Sequence, residues 1–154
     1  MLILIGLAMV GLLFVVTMVL IMGVTLWQLG IFNLGEPALT VTGFAKLKPQ
    51  LAACGVTEYG EFDCIFTNGA GTKIIVDQYK STITVDDVLC NTIEVEPETG
   101  EIPVGSNFMI TAENCATGEA GSPYRAEIKI AYNVTIGTHT SQHSDSGIIN
   151  GVYE

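Results

Sequence analysis

No charged side chain occurs between Met1 and Trp27, and only the hydroxyls of Thr17 and Thr25 interrupt the apolar run. The first basic residue is Lys46. A signal anchor is normally oriented by Lys or Arg at its cytoplasmic end, so either the orientation is set by something unusual or a charged leader has been removed. A secretory signal peptide is excluded, because the basic start, short apolar centre and small-residue cleavage site are all missing. Basic residues are scarce throughout: 6 Lys and Arg stand against 16 Asp and Glu, for a net charge of −10. Such a surface repels phosphate backbones and anionic headgroups, which argues against nucleic acid as a partner.

Signs of catalysis are equally thin. The chain has 2 histidines, His139 and His143. They are four apart but lack the intervening glutamate of a metalloprotease helix, and the polar run from Thr138 to Ser146 reads as a solvated loop. Asp63, Asp86 and Asp87 have no carboxylate partner arranged for acid and base roles. Asn68-Gly69-Ala70-Gly71 follows a strand but opens no helix, so it is not a phosphate loop. The expectation is no enzyme, no cofactor, no metal and no small-molecule substrate.

What the sequence does contain begins with the apolar run itself. Residues 1–32 are long enough for one membrane-competent helix. At about 1.5 Å per residue such a helix reaches roughly 48 Å, against a hydrocarbon core of about 30 Å. Gly6, Ala8, Gly11, Thr17, Gly23 and Gly30 point in several directions around it, whereas a paired helix dimer would hold its small residues on one stripe. Small positions all round suit neighbours on several sides; a lone lipid-exposed anchor is the simpler alternative. Phe14 and Trp27 are aromatic positions counted with the same surface, and Phe32 closes the stretch. Residues 33–37, with Asn33, Gly35 and Pro37, read as a helix stop and a short hinge.

From residue 38 to 154 the period becomes that of strands. Leu39–Phe44 alternates, and Lys46-Leu47-Lys48 continues it to Pro49. Glu61–Thr67 and Lys73–Tyr79 flank Asn68–Gly71 and read as a hairpin. Thr82–Val85, Thr92–Glu96 and Phe108–Ala112 are further strands. Tyr124–Thr135 is the longest, with Tyr124, Ala126, Ile128, Ile130, Tyr132 and Val134 on one face, and Ser146–Tyr153 closes the sheet. Glu94, Glu96 and Glu98 fall on one side and read as a solvated strand edge rather than a calcium site, which draws its oxygens from a looped backbone. Seven to nine short strands without an amphipathic helix predict a β-sandwich of immunoglobulin-like size behind the helix, an α+β chain overall.

Cys54, Cys64, Cys90 and Cys115 all lie in this domain, which suggests two disulfides and an oxidising compartment. Of three pairings, Cys54 with Cys64 and Cys90 with Cys115 is favoured, because sequence neighbours close small loops and each pair sits at expected strand ends. Zinc spacing is absent. Asn133-Val134-Thr135 fits the acceptor pattern for an N-linked glycan.

The arrangement as a whole resembles an archaeal type IV pilin in its mature form, after a short basic leader has been removed by prepilin peptidase. The likeness covers the uncharged helix, the hinge and the β domain. Its local patterns are Gly43-Phe44, Asn68–Gly71 followed by Lys73-Ile74-Ile75-Val76, Cys115 with Gly121 and Tyr124, Ile130-Ala131-Tyr132, and the closing Gly147-Ile148-Ile149-Asn150-Gly151-Val152. The glutamate usual at the fifth mature position of bacterial type IV pilins is absent; Ile5 stands there, counting from Met1. The resemblance implies a subunit that sits in the membrane before assembly. The pilus assembly machinery then packs it by its helix into a homopolymeric helical filament outside the cell, with the β domains as sheath. Adhesion is the implied use. The archaellum, a motility filament of similar subunit plan, is the near alternative, and a monomeric membrane-anchored binding domain is the alternative from another class.

Overall fold

A computed structural model describes residues 2–28, 39–98 and 100–154, which fall into two compact units, residues 1–36 and 37–154. Among the described residues the first unit holds one helix, α1, Leu2–Gln28. Its 27 residues span about 40 Å. Leu, Met and Ala favour it, whereas Gly6, Gly11 and Gly23 each cost about 1 kcal/mol relative to Ala. Neither terminal turn carries a charge that would complement the helix dipole. The expected continuation to Phe32 and the hinge residues Asn33, Gly35 and Pro37 lie outside the described residues.

The described residues of the second unit form a two-sheet sandwich of nine strands: β1 (Thr40–Gly43), β2 (Leu47–Val56), β3 (Phe62–Asn68), β4 (Ile75–Val85), β5 (Val88–Leu89), β6 (Asn91–Glu96), β7 (Asn107–Glu113), β8 (Pro123–Ile136) and β9 (His139–Val152). One sheet runs β1-β9-β8-β4-β5 and the other β2-β3-β7-β6, with neighbouring strands antiparallel throughout. Alternation explains the layering. Along β8, Tyr124, Ala126, Ile128, Ile130, Tyr132 and Val134 are all buried. They face Phe62, Phe66, Phe108 and Ile110 in the shared core. Phe66 stacks on Phe108 with centroids 5.7 Å apart, and Phe44 meets Phe66 edge-on at 5.5 Å.

Several sequence expectations fail here. Glu61–Thr67 and Lys73–Tyr79 do not form a hairpin: β3 pairs with β2 and β7, while β4 lies in the other sheet beside β8. Asn68-Gly69-Ala70-Gly71 is a corner between sheets. Its pivot is the buried Asn68 amide, which donates to the carbonyls of Thr72 (2.9 Å), Ile102 (2.9 Å) and Pro103 (3.2 Å) and accepts the Ala70 N–H (2.9 Å). Secondly, the runs 73–79 and 82–85 are one strand, β4, broken only by a bulge between Asp77 and Thr82. Ser81 fills that bulge, giving its hydroxyl to Asp77 O and accepting the Ala131 N–H. Thirdly, residues 139–146 are not a loop. They form the first half of β9, paired with β8 as far as Ile136↔His139. The side chains there are polar and mostly exposed, so no apolar alternation marks them.

The passage from β1 to β2 is also a change of sheet. Gly43 (φ 87°) and Phe44 (φ 48°) take the left-handed conformation that turns the chain. For Phe44 this costs about 1–2 kcal/mol, offset by its contact with Phe66. The next three amides are gathered by one carboxylate: Asp145 accepts N–H bonds from Ala45 (3.0 Å), Lys46 (2.6 Å) and Leu47 (2.7 Å). Strand β2 then runs through Pro49, with a register shift between Pro49 and Cys54, rather than stopping there.

Both disulfides have the favoured pairing; one lies within the β2-β3-β7-β6 sheet and the other just beyond the ends of its strands β6 and β7. Cys54–Cys64 joins directly opposed residues of β2 and β3, inside the strands rather than at their ends. Cys90–Cys115 joins the residue before β6 to the second residue after β7. The larger loop spans 25 residues, and closing it removes about 3 kcal/mol of chain entropy from the unfolded state. Replacing Cys90 and Cys115 by serine is expected to lower unfolding stability by about 2–4 kcal/mol in chemical denaturation of the full chain, with non-reducing peptide maps of the parent showing both bridges.

Candidate functional surfaces

The helix surface is apolar on every side. Ile5–Val24, 20 residues with mean hydropathy 2.8, is long and apolar enough to cross a membrane. Every side chain from Ile5 to Val24 is exposed. Successive residues turn by about 100°, so Gly6, Ala8, Gly11, Phe14, Thr17 and Gly23 are distributed around the helix. At each described helical glycine, Gly6, Gly11 and Gly23, the space beside the backbone is open. Thr17 hides its polarity by bonding the carbonyls of Leu13 (3.0 Å) and Phe14 (2.9 Å). The side chain of Trp27, and all of Gly30, lie outside the described residues. This surface has the chemistry of something meant to be covered by lipid or by other helices, with no polar seam to select a single direction of contact.

On the sandwich, Glu94, Glu96 and Glu98 are exposed along and just beyond the edge strand β6. They border a shallow groove of about 400 Å³ with Met109 and Thr111. Among the described residues no group of three or more His, Cys, Asp or Glu is placed to hold a metal. Charges on that edge obstruct pairing with another strand.

The histidines are strand residues. His143 stacks on Tyr132 with centroids 5.8 Å apart and shares a 2.9 Å hydrogen bond with Ser141 Oγ. Ser141, His143 and Asp145 follow one another at every second residue of β9, the order of a nucleophile, base and acid. The Asp145 carboxylate, however, is occupied by the backbone of residues 45–47. His139 sits at the hairpin tip opposite Ile136. Asp86 and Asp87 are the two central residues of the β4–β5 turn, both at positive φ (45° and 66°), the geometry that a two-residue hairpin requires. Asp63 is exposed on β3.

Asn133 lies on the face of β8 opposite the buried Tyr132, between Ile75 of β4 and Gln142 of β9, and is partly exposed. The downstream Thr135 shares a 3.0 Å bond with Thr140.

Sequence reasoning missed a tyrosine pair at the end of the sandwich where β1 begins. Tyr153 donates to Asp86 Oδ2 at 2.6 Å, and its ring meets Tyr124 edge-on at 5.5 Å. Tyr124 is 3% exposed and its hydroxyl has no hydrogen-bond partner among the described residues. Burial, helped by the Glu154 charge, pushes its pKa up to about 12. Burial and the bond to Asp86 raise Tyr153 as well. Both shifts mean that the folded state holds its protons more tightly than the unfolded chain. The stability that this pair contributes is therefore fully present below about pH 10 and, for Tyr124, is lost as the pH rises from about 10 to about 12. Tyr124 alone accounts for about 3 kcal/mol of that loss. The Tyr124→Phe variant is expected to equal or exceed the parent by about 1 kcal/mol at about pH 8 and to lose less at about pH 11, measured by urea unfolding.

Comparison with protein-family models, curated proteins and solved structures finds no match to the chain.

Proposed function

We propose that the chain is the structural, non-enzymatic subunit of an extracellular filament of the archaeal type IV pilus kind, polymerising through its apolar helix. The observation that carries this reading is the helix surface: uncharged, apolar on every face, with Gly6, Gly11 and Gly23 opening it in different directions. A Leu, Ile, Val, Phe or Met side chain gains about 1.5–3 kcal/mol on leaving water, but almost nothing on passing from lipid to a helix bundle. Extraction from a membrane must then be driven by close packing at small residues and by assembly machinery. Prepilin peptidase is the processing enzyme this reading requires. A head-to-tail contact that does not close generates an open helical polymer, and the sandwich becomes its outer layer. Two disulfides fit an oxidising exterior, and a glycan on Asn133 would extend away from the core. Adhesion is the use we assign, with an archaellar motility filament as the near variant.

One feature favours a second reading: 20 apolar residues suffice for a single membrane crossing, as in a monomeric cell-surface anchor. Negative-stain microscopy of material sheared from cells that carry an epitope-tagged chain separates the two. Tagged filaments in the sheared fraction are expected. Tag found wholly in the membrane pellet, with no filament, overturns polymerisation and leaves the anchor.

A further inference from the structure

The apolar helix is joined to the sandwich through β1, so any load on the upstream chain enters the domain there. That strand is a slight one: four residues at the edge of its sheet, paired among the described strands with β9 alone. Phe44 N–H donates to Ser146 O (2.9 Å), and antiparallel alternation places the amides of Thr40 and Thr42 on β9 as well. Its inward side chains, Leu39 and Val41, are only partly buried. Leu39 and Phe44 occupy the places that a Cβ on Gly151 and Gly147 would fill. Immediately beyond lies a different construction. Phe44 is held in a strained left-handed turn, and the Asp145 carboxylate, 8% exposed, grips three successive amides at residues 45–47.

We propose that residues 39–44 are a tension strap, which peels from β9 ahead of the rest of the sandwich when the upstream chain is pulled, and that the Asp145 clamp stops the peeling. Six extended residues release at most about 20 Å of chain. The base of β9 lies beside the entry of β1, with Thr40 opposite Asn150, so a pull between the helix and Glu154 opens the pairs one at a time from that end. The inference does not rest on polymerisation, because it concerns the order of opening within one chain.

Hydrogen exchange on the full chain in detergent micelles tests it. The amides of Thr42 and Phe44 should exchange about 100-fold faster than that of Leu47, through an opening insensitive to mild urea. Gly147→Ala, which places a methyl group against Phe44, should speed Thr42 and Phe44 about tenfold or more and leave Leu47 unchanged. Asp145→Asn should carry Lys46 and Leu47 into the fast class. Equal protection of Thr42 and Leu47 in the parent overturns the proposal, as does a Gly147→Ala chain in which both accelerate together. If Asp145→Asn does not fold, those two comparisons still decide.

Discussion

Substituting Val16 by lysine is expected to lower the membrane-retained chain by about a hundredfold and to eliminate filaments. Val16 lies in the middle of the apolar span, exposed on a helix with no acidic residue to pair with an ammonium group. A lysine at the centre of a spanning helix costs about 2.5–3.5 kcal/mol on insertion scales, which corresponds to a factor of roughly 100 in partition. Inside a packed bundle the new charge has no water to reach and no partner, so its desolvation, several kcal/mol, goes uncompensated. Tyr79→Lys is the control: Tyr79 is 91% exposed on the sandwich, and the change should leave both quantities as in the parent. The measurements are the tagged chain in membrane and sheared fractions, and filament counts by microscopy. Filaments at parental abundance built from the Val16→Lys chain would contradict a buried helical core.

Asn68→Leu is expected to destabilise the sandwich by about 3–4 kcal/mol while leaving the helix unaffected. Leucine has the branching and heavy-atom count of asparagine, though bulkier methyl groups, and makes none of its hydrogen bonds. Ile102 O and Pro103 O retain a second donor each, from Ile74 N–H and Ser106 N–H. Thr72 O and Ala70 N–H lose the partner that Asn68 supplies. Both backbone groups are part-buried, so each left without its partner costs about 1–2 kcal/mol, and the corner that carries the chain from one sheet to the other loses its pivot. Thermal unfolding of the full chain in detergent, followed by the near-ultraviolet dichroism of the tyrosines, should shift down by about 10–20 °C. The exposed Asn91, changed to leucine, should move the midpoint by no more than about a degree or two. A shift for Asn68→Leu as small as that would show the corner to be held by its backbone alone.

The helix and the sandwich were legible because their periods are unambiguous: an apolar run without charge, then alternation such as that of Tyr124 to Val134. Cysteine pairing was legible as well, since opposed neighbours in a small antiparallel sheet are also neighbours in sequence. Strand partnership was not. Asn68-Gly69 is a strong local turn signal, but whether the chain folds back within a sheet or crosses to the other depends on which carbonyls Asn68 reaches, and those belong to Ile102 and Pro103. The polar half of β9 was hidden for another reason. From His139 to Ser144 both faces of the strand are exposed, so burial leaves no alternating mark and only the ladder with β8 defines it. Asp145 follows in the same polar run and reads as one more surface acid, yet it is buried against the backbone of residues 45–47. Of the candidate surfaces, the helix stood out in composition alone, whereas the Tyr124–Tyr153–Asp86 cluster assembles residues from three distant places in the chain.

The Asn68 corner also bears on how the protein ages. An asparagine followed by glycine ordinarily loses ammonia by cyclisation, when the glycine nitrogen swings onto the side-chain carbonyl carbon. Here the Gly69 N–H is tied to Lys46 O at 2.9 Å, and the Asn68 amide is fixed by four bonds of its own. The chemical lifetime of this dipeptide is thereby set by how often the corner opens, and a molecule that stays folded keeps its clock stopped.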